Sequence, residues 1–461
     1  MKGWLLATVG GLLLVLAGVL VLVLGGDNGR PRERLSSGVS AVQPCHERKP
    51  PQPAAPPAGV PPGAALRAGD FVNSIGVNVH LGYTNTPYGD RARIEDKLRE
   101  LGIRNIRDGA AQGQPAVYEA IRGLASCGIG VNLIVGDPLR RFGSGTLEEQ
   151  LALIKKEYRG AVVSLEAPNE FDNQGYENWL PVIRDYTQRL YASAKSDPAL
   201  ARLPVIGPSF VDWADQRKLG DIGRWLDQGN MHSYPSGREP DLDSHLEEQF
   251  DAAEVSSGSK PVEATETGYQ NAVNLPKSFG HRPASEKAAG VYFPRLYLDY
   301  FRRGIVRTFA YELIDEHPDS EHVNSEANFG LLRNDFSEKP AYVALKRLIA
   351  LLHDPGPSFT TRKLRYTIPG APSNLRRLLL EKRDGSFYLA LWQTASVWDP
   401  VEAKRLDPGS RSVRLELAEP AARIEVYRPN EAGSARAHAS DTRSLRLRVS
   451  PSVTVVKVVP R

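Results

Sequence analysis

Between residues 71 and 354, short apolar runs alternate with stretches of helical periodicity, and this alternation most constrains the fold. Apolar runs separated by helices are the pattern of repeated βα units, which build a parallel sheet rather than hairpins. The runs fall at 74–80, 103–108, 130–135, 162–170, 203–207, 229–234, 261–266 and 305–313. Asp90 is placed to cap one intervening helix and Pro115 to open the next. Further helical patterns occupy 147–158, 177–196, 242–253, 285–303 and 341–352. The expected architecture is α/β, a (β/α)8 barrel, whose usual length matches this span.

The flanks read differently. Residues 3–26 carry no charge and are long enough to cross a bilayer, which takes ~20 apolar residues. An N-terminal membrane anchor over 1–26 is therefore expected, with a cleaved signal sequence as the alternative. Lys2 before the span and Arg30, Arg32 and Arg34 after it run against export of the C-terminal side. Eight prolines between residues 44 and 62 disfavour a packed core, so 27–65 reads as a semi-rigid linker. The barrel is assigned to 66–355. After it, Asp384-Gly385 lies between apolar runs as a hairpin signal, and more strand runs follow at 413–417, 423–427, 445–449 and 453–459. Residues 356–461 are thus expected to form an all-β sandwich module.

A net charge of +4 over 461 residues gives no concentrated basic patch, so no nucleic-acid partner is expected. The arginine runs fall at helix ends or alternate along strands, as solvated faces do. The nine histidines and two cysteines show no metal-ligand spacing, and neither a metal nor a cofactor is expected. Cys127 reads as a buried small hydrophobe, a bridge to Cys45 being the alternative.

In such a barrel, chemistry is assembled at the carboxyl ends of the strands. Glu170 ends the run from 162 and Glu266 the run from 261. Their strands, fourth and seventh, end on opposite sides of the mouth, so the two carboxyl groups can face each other across a bound sugar. Cutting a glycosidic bond needs such a pair: an acid for the leaving oxygen and a carboxylate at the anomeric carbon, about 5–5.5 Å apart when configuration is retained. Glu263 is the rival to Glu266, but strand alternation turns it to the opposite face.

The surrounding motifs resemble those of the retaining glycosidases of clan A. Ala167, Pro168, Asn169 and Glu170 resemble the Asn-Glu motif of strand four, whose Glu is the acid/base. Thr265, Glu266, Thr267 and Gly268 resemble the strand-seven nucleophile motif. Arg107 matches the clan's arginine that keeps the nucleophile ionised, and His232 with Tyr234 matches a His-x-Tyr arrangement whose Tyr bonds it. By this resemblance, Asn169 would bond the sugar hydroxyl beside the reacting centre. Residues 329–335 and 339–342 are similar to the segment after strand eight in glycoside hydrolase family 39, and a C-terminal β-sandwich fits that family too. The resemblance covers residues 70–461. One departure concerns Tyr311, which stands where clan members usually carry Trp.

His232 reads equally as a core histidine. His80 reads as a substrate hydrogen-bonder, and Trp179 either as a surface for a sugar ring or as helix packing. Family 39 includes exo-acting xylosidases and iduronidases, and membrane-associated endo-acting enzymes of bacterial exopolysaccharide pathways. The anchor and linker are similar to the last group. That implies an extracytoplasmic retaining hydrolase of a polysaccharide or oligosaccharide, held at a membrane near exopolysaccharide synthesis or export machinery. A secreted exo-glycosidase and a catalytically weak polysaccharide-binding subunit are the alternatives.

Overall fold

The computed structural model describes residue 50 and residues 64–140, 143–240, 244–276, 278 and 280–461, without the side chains of Ser244 and His245. The expected anchor, nearly all of the linker, and Cys45 lie outside the described residues. No helix among the described residues is long and apolar enough to cross a membrane.

The first strand, β1 (Leu66–Arg67), pairs with the second sheet, and the short α1 (Ala68–Asn73) leads into the barrel. Eight parallel strands follow: β2 (Ile75–Asn78), β3 (Asn105–Gly109), β4 (Gly130–Ile134), β5 (Val162–Glu166), β6 (Val205–Ile206), β7 (Gly229–His232), β8 (Val262–Thr267) and β9 (Thr308–Ala310). They are ordered β6-β5-β4-β3-β2-β9-β8-β7. A parallel bridge between Ile206 and Gln228 closes the ring between β6 and β7, where Gly207 N donates to Gln228 O at 2.9 Å.

Local chemistry explains the helices between the strands. Asp90 caps α2 (Arg91–Leu101), its side chain accepting from Arg93 N, and Pro115 opens α3 (Pro115–Ser126). Thr146 and Glu149 form a reciprocal capping box on α4 (Leu147–Glu157). Next come α5 (Trp179–Ser196), the short α6 (Trp213–Leu219), for which the sequence reading assigned no range, and α7 (Ser244–Ser257). The last two are α8 (Glu286–Arg302) and α9 (Pro340–Leu352). α8 is buried almost all round because the barrel lies on one side and the C-terminal module on the other. Its Tyr297 hydroxyl donates to Gly76 O of β2, and its Arg295 donates to Ala395 O of the module.

Two expected strands end early. The run from 162 stops at Glu166, because Pro168 has no N–H to continue the ladder. The run from 305 keeps only Thr308–Ala310 as strand.

The module is a single continuous sheet. Its strands are β10 (Tyr366–Thr367), β11 (Leu375–Glu381), β12 (Phe387–Gln393), β15 (Arg411–Tyr427), β16 (Ala437–Val449) and β17 (Thr454–Pro460), together with β1. A separate pair, β13 (Trp398–Asp399) and β14 (Lys404–Arg405), lies between β12 and β15 in the chain. The runs at 413–417 and 423–427 are one strand, β15, irregular between Glu416 and Ala421 where Pro420 falls. The sheet packs around a cluster that includes Leu389, Leu391, Leu415, Ile424, Val449 and Val456. Cys127, expected to be buried, is half-buried and disulfide-bonded.

Gly76 faces Phe309 across the β2–β9 pair, where an added Cβ would stand 2.3 Å from the Phe309 ring. Gly76→Ala is expected to lower stability by about 1–3 kcal/mol through overpacking. In denaturant unfolding, the loss in Gly76→Ala/Phe309→Ala should be smaller than the sum of the single losses.

Candidate active site

Arg107 on β3 organises the carboxyl end of the barrel. Its register neighbours are Asn78 on β2 and Asn132 on β4, so all three project from one level of the sheet. A guanidinium has five N–H donors, and each one here has a partner. Nε and Nη2 grip Glu166 at 2.8 and 2.7 Å, Nη1 donates to Asn78 at 2.8 Å and Glu266 at 2.6 Å, and Nη2 also donates to Asn169 at 2.6 Å. Burial opposes the charge on Arg107, but Glu166 and Glu266 outweigh it and hold the guanidinium protonated.

Glu166 is fully buried and its lone pairs are taken. Beyond Arg107 it accepts from Asn132 Nδ2 at 2.7 Å and Asn230 Nδ2 at 3.1 Å. The Thr265 hydroxyl is shared between Glu166 at 3.1 Å and Asn230 Oδ1 at 2.7 Å. Such an anion is tolerable inside a protein because it is both paired and hydrogen-bonded.

Glu266 has a different environment. Oε1 receives Arg107 and Oε2 the Tyr234 hydroxyl, both at 2.6 Å. Burial pushes its carboxyl up, but His232, Arg107 and these hydrogen bonds together outweigh burial, and the net direction is below its ordinary value. Burial and the Glu266 charge push Tyr234 well above the usual phenol range, so it stays a neutral donor. Register shifts between Met231 and His232 on β7, and between Ala264 and Thr267 where β8 meets β9, break the strict alternation of side chains. Consecutive residues Thr265 and Glu266 therefore both join the polar network. Glu263 stays outside it, buried 3.5 Å from Arg307, which removes the rival carboxylate.

Glu170 lies four residues beyond the end of β5, in the left-handed region at φ 43°. Non-glycine residues rarely adopt that conformation and need surrounding support. Support comes from Ser209, whose Oγ accepts from Glu170 N at 3.2 Å and donates to Asn169 Oδ1 at 3.2 Å. With Asn169 Oδ1 committed to Ser209 and Arg107, the amide orientation is set and Nδ2 is left to donate elsewhere. His232 joins the two glutamates: Nδ1 lies 2.7 Å from Glu170 Oε1 and 3.5 Å from Glu266 Oε2. Burial lowers the His232 pKa, but Glu266 and Glu170 outweigh it and the net direction is above 6.5, which favours a protonated ring. One ligand-type atom from each of Glu170, His232 and Glu266 falls within 4.8 Å of the others.

Glu170, Glu266, Arg107, Asn169, His232 and Tyr234 are thus gathered into one network. His80 and Tyr311 form an adjoining wall: their rings meet edge to face at 5.6 Å, and Tyr311 meets Phe329, which in turn meets Tyr234. Trp179 lies apart from the network, its ring packing on Phe210 at 5.8 Å in a satellite apolar cluster with Phe171 and Ile183. Glu166, Asn78, Asn132, Asn230 and Thr265 were not singled out from the sequence. Asn78 and Asn132 carried a signal, a lone polar residue between apolar neighbours in Val77-Asn78-Val79 and Val131-Asn132-Leu133, and Glu166, Asn230 and Thr265 carried none. Among the described residues, two groups are compact enough to hold a metal ion, Glu170–His232–Glu266 and His80–Glu312–Glu316. In the first, each residue already has a strong partner.

No protein-family model matches the sequence, and no curated protein matches it. Solved structures do. A family 39 glycoside hydrolase from the gut symbiont Bacteroides cellulosilyticus WH2 aligns with a TM-score of 0.59 at 18% identity, covering 85% of this chain and 82% of that one. A second family 39 enzyme, from Xanthomonas axonopodis pv. citri, gives 0.57 at 14% identity over 87% of this chain and 96% of its own. A monomeric beta-xylosidase from Caulobacter crescentus CB15 gives 0.53 at 15% identity, covering 86% and 98%. The fold of this chain, barrel and C-terminal β module together, is therefore the one these glycoside hydrolases share.

Replacing Arg107 with Met would leave Glu166 and Glu266 without their cation. Arg107→Met is expected to cost about 3–5 kcal/mol in denaturant unfolding, the usual result of stranding a buried charge.

Proposed function

We propose that this chain is a retaining glycoside hydrolase in which Glu266 is the nucleophile and Glu170 the acid/base. The observation that carries the reading is the approach of the two carboxylates, with an oxygen of each within 4.8 Å. So close an approach suits direct attack, for which the carboxyl groups stand about 5–5.5 Å apart, better than the water-mediated inverting arrangement at about 6.5–9.5 Å. The likeness to family 39 structures supports it.

In the first step Glu266 attacks the anomeric carbon and forms a glycosyl ester, while Glu170 passes its proton to the departing oxygen. In the second, Glu170 takes a proton from water, and the resulting hydroxide displaces Glu266 from the sugar. Arg107 and Tyr234 keep Glu266 anionic and aimed. Protonated His232 donates from Nδ1 to Glu170 Oε1, which leaves Oε2 to carry the proton in transit. Its Nε2 faces Thr265 Oγ1 at 3.1 Å, tying the ring to the Glu166 network.

The substrate proposed is a bacterial exopolysaccharide cut internally, by an enzyme held at an extracytoplasmic membrane face near synthesis or export machinery. The charge-free 3–26 span and the proline-rich segment after it support this reading. A second reading, exo-hydrolysis of short chains, draws on structural neighbours described as a beta-xylosidase from Caulobacter crescentus and a glucosidase from Croceicoccus marinus.

Reducing-end release from a panel of bacterial and plant polysaccharides tests the proposal. Glu266→Gln should abolish release. Glu170→Gln should slow it ~10²–10⁴-fold, and less for substrates with good leaving groups. Long products from early time points favour internal cutting, and single sugars favour the second reading. Binding without release by the parent chain would sink the enzyme proposal.

A pH profile tests the role of Tyr234. Glu266 must be ionised to attack and its pKa is depressed, so kcat/KM should be sustained as pH falls to 4.5 and decline only at lower pH. Tyr234→Phe removes a charge-assisted hydrogen bond worth about 1.5–3 kcal/mol, which should move that acid limb up by about 1–2 pH units.

A further inference from the structure

Beside the carboxylate pair, three side chains converge and leave polar atoms unsatisfied. His80 follows β2, and Glu312 and Glu316 follow β9. His80 Nε2, Glu312 Oε1 and Glu316 Oε1 are each buried without a hydrogen-bond partner. One ligand atom from each residue lies within 4.8 Å of the other two. His80 Nε2 stands 3.5 Å from Glu312 Oε2 and 3.9 Å from Glu316 Oε1. The Glu312 side chain is 0% exposed, and its carboxylate is oriented by the Tyr88 hydroxyl, which donates to Oε2 at 2.9 Å. The His80 ring is fixed as well, stacked on Tyr83 at 4.8 Å and held edge-on by Tyr88 and Tyr311.

Several other buried carboxylates are compensated, and Glu263, whose Oε2 is also orphaned, has at least the Arg307 cation 3.5 Å away. Glu166 has Arg107, Asp299 has Arg302 and Arg303, and Asp315 has Lys339. Asp108 has the backbone amides of Leu81 and Gly109. Among the described residues, Glu312 and Glu316 have only imidazoles within ion-pair distance, His80 and His317. Orphaned atoms on a buried carboxylate call for an explanation, and a bound cation supplies one.

We propose that His80, Glu312 and Glu316 bind a divalent transition-metal ion, Zn²⁺ or Mn²⁺. One imidazole nitrogen with two carboxylate oxygens is a ligand set suited to such ions, whereas Mg²⁺ and Ca²⁺ prefer oxygen alone. Small side-chain rotations would bring the three atoms to bonds of ~2.0–2.2 Å. Three protein ligands leave the ion with an open position. Partial exposure of His80 and Glu316, 21% and 16%, provides the way in. His80 lies far in sequence from Glu312 and Glu316, which share the loop after β9, and the barrel brings the two loops together. This site stands whether or not the hydrolase proposal holds.

The test is calorimetric titration and thermal unfolding of the full chain, freed of metal by a chelator, with Zn²⁺, Mn²⁺ and Mg²⁺ in turn. One equivalent of Zn²⁺ or Mn²⁺ is expected to bind and raise Tm, with Mg²⁺ much weaker. Glu316→Gln and His80→Gln should each weaken binding by at least ~10-fold, and Glu266→Gln should bind like the parent. Absence of binding by Zn²⁺ and Mn²⁺ would overturn the proposal. So would binding that survives Glu316→Gln and His80→Gln, or that is lost in Glu266→Gln.

Discussion

The contact on which the rest of the site depends is the buried bidentate pair between Arg107 and Glu166. Alone, it offers little net stability, because desolvating two ions offsets most of their attraction. What it provides is position. With Nε and one Nη2 hydrogen committed to Glu166, the planar fork can turn its other hydrogens only toward Asn78, Asn169 and Glu266. A single side chain on β3 thereby sets groups on β2, β8 and the loop after β5.

The same cation faces two glutamates and leaves them with opposite capacities. Glu166 is fully buried and surrounded by Arg107, Asn132, Asn230 and Thr265, so no oxygen lone pair is left to form a bond. Glu266 accepts one hydrogen bond on each oxygen and keeps a small exposed area. An anion that is held but not saturated can still act on a substrate. This difference separates a structural carboxylate from a reactive one more clearly than charge does.

Legibility in the sequence followed the same division. The barrel was readable because periodicity, Asp90 and Pro115 act locally, and each is visible in a few neighbouring residues. Glu170 and Glu266 were readable from their motifs, but the reading placed Glu170 at a strand end. The left-handed turn that carries it depends on Ser209, a residue from the following βα unit. β16 begins at Ala437, although only 445–449 looked like strand; its first residues carry no large apolar side chain and are mostly exposed, and pairing with β15 determines their conformation. The position of Trp179 against Phe210 is likewise set by a tertiary neighbour.

Glu166 shows why the remainder was hidden. Within Leu165-Glu166-Ala167 it resembles any glutamate near a strand end, where exposure is the ordinary outcome. Its burial is acceptable only because Arg107, Asn132, Asn230 and Thr265 arrive from four other strands. None of those residues is distinctive alone, and their offsets in sequence reflect barrel geometry rather than a local motif. A polar residue interrupting an apolar strand is the one trace such a network leaves. Here that trace is visible at Asn78 and Asn132, which flank Arg107 at one level of the sheet, and this layer supports the carboxylate pair.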